Sequence, residues 1–180
     1  MPRYGVSSGV KEAFSILSSR HSYSSFVQAI SEALAAQGHL GRNDLLAIQQ
    51  SNNVVRLTDY KDELLDILLD YINLALDDHI LTSEEVNIVL YLKRLFAIKE
   101  GDFYHIRYQY VKEILHRQFE RIYQDDDKIN AEEAMHKVAL QDVFDLSYDQ
   151  FLAFTEHEVR LALDRGADIK DLDRVRIPKR

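Results

Sequence analysis

The sequence contains no cysteine and no tryptophan, and only six glycines and two prolines among 180 residues. Without cysteine there is no disulfide, no thiolate nucleophile and no cysteine-based zinc site, and nothing points to an oxidising compartment. The prolines, Pro2 and Pro178, lie near the two ends, so none breaks a helix from within. Long apolar runs are also missing. The first residues continue into serine-rich amphipathic sequence, so neither an export signal nor a membrane span is expected. A cytoplasmic protein without membrane insertion is the expectation.

Basic residues are few: 22 Lys and Arg stand against 30 Asp and Glu, a formal net charge of −8. Residues 1–53 carry +1 and the remaining 127 carry −9. Such an acidic body argues against tight nucleic-acid binding, which needs clustered Lys and Arg against phosphate. The one basic cluster, Arg174, Arg176, Lys179 and Arg180, falls in a C-terminal tail, 167–180, expected to be a solvated end. No GxGxxG, P-loop or GxSxG pattern occurs, which leaves nucleotide binding and serine hydrolysis without support.

What the chain does have is helical periodicity. Val10, Phe14 and Leu17 share a face of a first short helix. Ser24 or Ser25 is placed to cap a second, in which Phe26, Ile30 and Leu34 recur every fourth residue. Gln37 to Gly41 reads as a turn, with Asn43 capping a short helix through Ile48. Ser51-Asn52-Asn53 reads as a linker, and Thr58 as the cap of a helix with Leu64, Leu68, Tyr71 and Ala75 on one face, ending near Asp77.

A helix from about Ser83 to Ala97 is apolar almost all round and is expected at the centre. A long helix from Asp102 to about Tyr123, with Phe103, Ile106, Tyr110 and Ile114 in register, precedes helices near 131–145 and 148–164, the last stopped by Gly166. The ten Tyr and eight Phe fall mostly at helical spacing and read as core, Tyr91, Tyr104 and Tyr108 included. The fold class is all-α, a compact helical bundle.

Shifting the sequence on itself by 48 residues aligns 77–103 with 125–151 without a gap, and seven of the 27 columns are identical. They are Asp77/Asp125, Asp78/Asp126, Glu84/Glu132, Glu85/Glu133, Leu92/Leu140, Phe96/Phe144 and Phe103/Phe151. Leu81/Ile129, Leu90/Val138, Leu95/Val143 and Ile98/Leu146 are aliphatic exchanges. This reads as an internal pseudo-repeat of an acidic helix-turn-helix unit, about 77–115 and 125–163. In each copy a helix ends in aspartates, an aliphatic residue plugs the turn, a Glu-Glu pair opens the next helix and a Phe closes it. Two units are too few for a solenoid.

The run Asp78-His79-Ile80-Leu81-Thr82-Ser83-Glu84-Glu85 with Leu92, Leu95 and Phe96, and Asp126-Asp127-Lys128-Ile129-Asn130-Ala131-Glu132-Glu133 with Leu140, Val143 and Phe144, resemble the TerB-like helical domains of tellurite resistance and DjlA-type co-chaperones. The resemblance covers about 60–165 and implies a small helical bundle from stress and metal-resistance systems whose acidic residues bind divalent cations. The chain then divides into an N-terminal helical extension, 1–57, a TerB-like domain, 58–166, and the tail. The N-terminal segment reads as an oligomerisation element or a lid.

Two accounts of the acidic residues stand side by side. Thr82 and Asn130 fit as N-caps with Glu85 and Glu133 three residues on, a capping box that leaves these glutamates structural. Asp77, Asp78, Asp125 and Asp126 instead follow helices, where the dipole disfavours negative charge, and hard oxygen ligands suit Ca²⁺ or Mg²⁺. A metal set of Asp77, Asp78, Glu84, Glu85, Asp125, Asp126, Glu132 and Glu133 follows, against solvated turns as the plainer account. A standard EF-hand is excluded: with Glu133 at position twelve of the loop, Ile122 takes position one, and the equivalent first residue of the other copy is Leu74.

Glu113-x-x-His116 and Glu133-x-x-His136 have the spacing used by di-iron carboxylate bundles, although Ile106, Tyr110 and Ile114 turn Glu113 and His116 outward. The leading expectation is a non-catalytic, cation-responsive protein-interaction module without catalytic residues, acting on an unidentified protein partner or as a homo-oligomer. A helical adaptor without metal and a di-metal enzyme are the alternatives.

Overall fold

The computed structural model describes residues 4–20, 23–77, 80–124 and 130–166. Every regular element among them is helical. The helices are α1 (Tyr4–Arg20), α2 (Ser25–Gln37), α3 (Arg42–Ser51), a 3-10 turn (Leu57–Tyr60), α4 (Lys61–Ala75), α5 (Ser83–Leu95), α6 (Asp102–Ile106), α7 (Tyr108–Gln124), α8 (Ala131–Val143) and α9 (Tyr148–Asp164). No helix among the described residues is long and apolar enough to cross a membrane.

The helices form two compact units. The first holds 1–78 and 82–99, and therefore α1 to α5. The second holds 79–81 and 100–180, and therefore α6 to α9. This division departs from the boundary expected at residue 57. Val10, Phe14 and Leu17 of α1 and Phe26, Val27, Ile30 and Leu34 of α2 are fully buried, and α1 packs on α2, α4 and α5. The N-terminal helices thus build one core with α4 and α5 and are not an extension to it.

In this unit α4 contributes the densest apolar stripe: Leu64, Leu65, Ile67, Leu68, Leu69, Tyr71 and Ile72 are buried. Its start differs from expectation, because Thr58 lies inside the 3-10 turn and Tyr60 occupies the cap position. Likewise α3 is capped by Gly41, whose N–H donates to Asp44 Oδ2 at 2.7 Å, and not by Asn43. Helix α5 is one-sided: Ile88, Val89 and Leu92 are buried while Glu84, Asn87 and Arg94 are exposed, so the expected all-round burial does not hold. Tyr91 is half-buried and ties α5 to the α2–α3 turn; its hydroxyl accepts from the Leu40 N–H at 2.7 Å and lies 3.2 Å from the Leu40 carbonyl.

In the second unit the expected long helix is broken. Arg107 leaves the helical region at φ −126° and separates α6 from α7. Val111, Ile114, Leu115, Gln118, Phe119 and Ile122 form the buried stripe of α7, which packs on α9. Phe103 meets Phe144 edge-on at 5.6 Å and Phe119 meets Phe151 at 5.3 Å, the geometry that aromatic quadrupoles favour. Tyr104 and Tyr108 pack against each other and against Phe154.

Helices α5 and α8 have the same length and the same ends. Each opens with a capping box and closes with a left-handed residue, Ala97 (φ 54°) and Asp145 (φ 51°). The Ile98 N–H donates to the Lys93 carbonyl, and the Leu146 N–H to the Gln141 carbonyl, the long bond of a Schellman closure. Ile98 and Leu146 are buried, which accounts for the aliphatic exchange at that column. Beyond this the 48-residue correspondence lapses: 102–106 is a separate short helix, whereas 150–154 lies inside the continuous α9.

Candidate functional site

Five residues of the expected metal set lie among the described residues, Asp77, Glu84 and Glu85 in the first unit and Glu132 and Glu133 in the second. Asp78, Asp125 and Asp126 lie outside the described residues, as does the basic tail. Asp77 is exposed, and so are Glu84 and Glu132. Glu85 Oε2 accepts from the Thr82 N–H and hydroxyl, both at 2.8 Å, while Thr82 Oγ1 accepts from the Glu85 N–H. Asn130 Oδ1 accepts from the N–H groups of Glu132 and Glu133, and Glu133 Oε2 accepts from the Asn130 N–H at 2.8 Å. Each of these two glutamates closes a capping box, which leaves one carboxylate oxygen engaged with the backbone. Among the described residues no group of three or more His, Asp or Glu side chains is arranged to hold a metal ion.

The four residues of the di-metal alternative are likewise not brought together. His136 is buried; its Nδ1 accepts from the Leu81 N–H at 3.2 Å and its Nε2 faces Gln118 Oε1 at 3.3 Å. A ring that accepts at Nδ1 carries its proton on Nε2 and donates it to the amide oxygen. Burial lowers the His136 pKa to about 4, so the ring is neutral at physiological pH. Both nitrogens are thereby occupied. Glu113 and His116 are exposed on α7, where they line a groove with Lys112, Glu156, His157 and Arg160; the His116 and His157 rings stand 6.2 Å apart. The groove carries both charge signs, and Arg160 is paired with Glu156.

A different site stands out in the first unit. Helices α1, α4 and the N-terminal half of α5 line an open cleft of about 410 Å³. Ala13, Ile16, Leu74, Ala75 and Ile88 supply apolar walls, Glu12, Glu84 and Glu85 supply carboxylates, and no basic side chain among the described residues lines it. Tyr71 also borders the cleft. It is only 3% exposed, its ring stacks on Phe14 at 6.1 Å, and its hydroxyl has no hydrogen-bond partner among the described residues. Burial, and then the charges of Glu85 and Glu84, push the phenol above its ordinary value, so it stays protonated. Gly9 keeps the upper end open: a Cβ there would stand 3.3 Å from Ile88 Cδ1 and 3.8 Å from Glu84 Oε1.

Helical periodicity places Tyr71 on the core face of α4 and does not single out Glu12 or Gly9. Nothing local marks them, because three helices far apart in the chain assemble the cleft. No family model, curated protein or solved structure matches the chain.

Proposed function

We propose that the protein is a non-catalytic helical interaction module that binds through the cleft between α1, α4 and α5. The single observation behind this reading is an open, largely apolar cleft whose polar lining is three carboxylates, the Thr82 hydroxyl and a phenol held in its protonated form. A binding site needs that combination of apolar area with a few oriented polar groups. Catalysis by proton transfer would need a group titrating near neutrality, and the buried Tyr71 is displaced away from that range. The resemblance of 78–96 and 126–144 to TerB-like domains motivates the same class of role, an interaction module in stress or metal resistance.

The test is amide chemical-shift mapping of the full chain with a panel of small neutral, cationic and anionic organic probes. Perturbations are expected at Gly9, Ala13, Leu74 and Thr82 to Ile88. Shifts confined to other helices, or none with any probe, would remove the cleft from consideration.

A further inference from the structure

Three features of the cleft specify its occupant. The carboxylates of Glu12 and Glu84 are exposed at the rim, while Ala13, Ala75 and Ile88 are buried at the base. Neither rim glutamate is needed to hold its helix: Glu85, not Glu84, closes the capping box of α5. Tyr71 is 3% exposed and borders the cleft together with Glu84 and Glu85, where its hydroxyl, with no hydrogen-bond partner among the described residues, is available to accept. A site with an apolar base, a negative rim and a phenol oxygen available to accept complements a cation that carries N–H donors on an alkyl stem. Lysine and arginine have that construction and naturally lay the stem on apolar surface while the charged head reaches a polar rim.

We propose that the cleft receives a basic side chain of a partner protein, its stem against Ala13, Ile16, Leu74 and Ile88 and its cationic head among Glu12, Glu84 and the Tyr71 hydroxyl. This rests on the reading of the cleft as the binding site. The remaining free oxygen of Glu85 adds to the negative field, while its Oε2 stays with Thr82. A metal ion is a poor alternative occupant, since no three ligating side chains converge among the described residues. An anion is opposed by three carboxylates.

The experiment titrates the full chain with short peptides identical except for one central residue, which is lysine, acetyl-lysine or norleucine, followed by calorimetry and amide shifts. Free n-butylammonium is the fourth probe. The lysine peptide is expected to bind with shifts at Gly9, Ala13 and Thr82 to Ile88, and the two neutral peptides roughly ten-fold more weakly, the scale of a hydrogen bond to a charged group. Glu12→Gln with Glu84→Gln should remove that preference for lysine. Tyr71→Phe should weaken the lysine peptide while leaving the thermal transition of the free protein unchanged or slightly raised, which a merely structural hydroxyl would not do.

Equal binding of the norleucine and lysine peptides would overturn cation recognition and leave an apolar interaction cleft. Binding of free n-butylammonium as tight as the lysine peptide would overturn the partner-protein assignment in favour of a small amine. Absence of any shift in the cleft of the folded protein would overturn both this proposal and the reading beneath it.

Discussion

Single residues decide two measurable properties. His136 is neutral because its ring is buried and both nitrogens are bonded, with a pKa of about 4 against 6.5 in the unfolded chain. Between those values the unfolded state holds the extra proton, so stability is complete above about pH 6.5 and falls as pH drops towards 4, by about 3 kcal/mol in all. Urea midpoints of the wild type against His136→Gln across this range check it, and the variant should show a flatter profile. Ser31 is the second case. It is fully buried on α2 and its hydroxyl has no hydrogen-bond partner among the described residues, so Ser31→Ala is expected to stabilise by about 1 kcal/mol in thermal melts. Neither property is visible in the sequence. The partners of His136 are 55 and 18 residues away, and His136 read alone passes equally well for a metal ligand.

At the scale of elements, helix ends were the most legible feature. Thr82 with Glu85 and Asn130 with Glu133 announce their capping boxes by spacing alone, and both form. Thr82→Ala and Asn130→Ala should each cost about 1 kcal/mol, measured by chemical denaturation. Ala97 shows the opposite situation. It holds a left-handed conformation at φ 54° that closes α5, although alanine has no side chain to relieve it there. Ala97→Gly is expected to stabilise by about 0.5–1 kcal/mol in the same assay. The break between α6 and α7 was illegible: neither glycine nor proline marks Arg107, and the apolar register runs through it. Ile106 and Tyr110 end half-buried, whereas Val111, Leu115 and Phe119 carry the stripe.

For the whole molecule, the chain folds as two units, each with its own buried apolar residues. The first is contained within residues 1–99, so a fragment of that span should retain helical circular dichroism and a cooperative thermal transition. A fragment beginning at residue 58 would lack α1 and α2, whose Phe14 and Phe26 fill the same core, and should lose that transition. The binding cleft belongs to this scale as well. It exists because α1 lies beside α4 and α5, which no local pattern in any of the three helices specifies.

The helical class, most of the helix positions and the capped ends are written locally in the chain, because periodicity and capping act over three to four neighbouring residues. Tertiary structure alone decided which helices share a core, where α6 separates from α7, and that His136 is a structural hydrogen-bonding group. It also decided that Glu12, Tyr71 and Glu84 border one cavity. Those outcomes depend on packing between residues distant in the chain, where close contact and desolvation outweigh local preference.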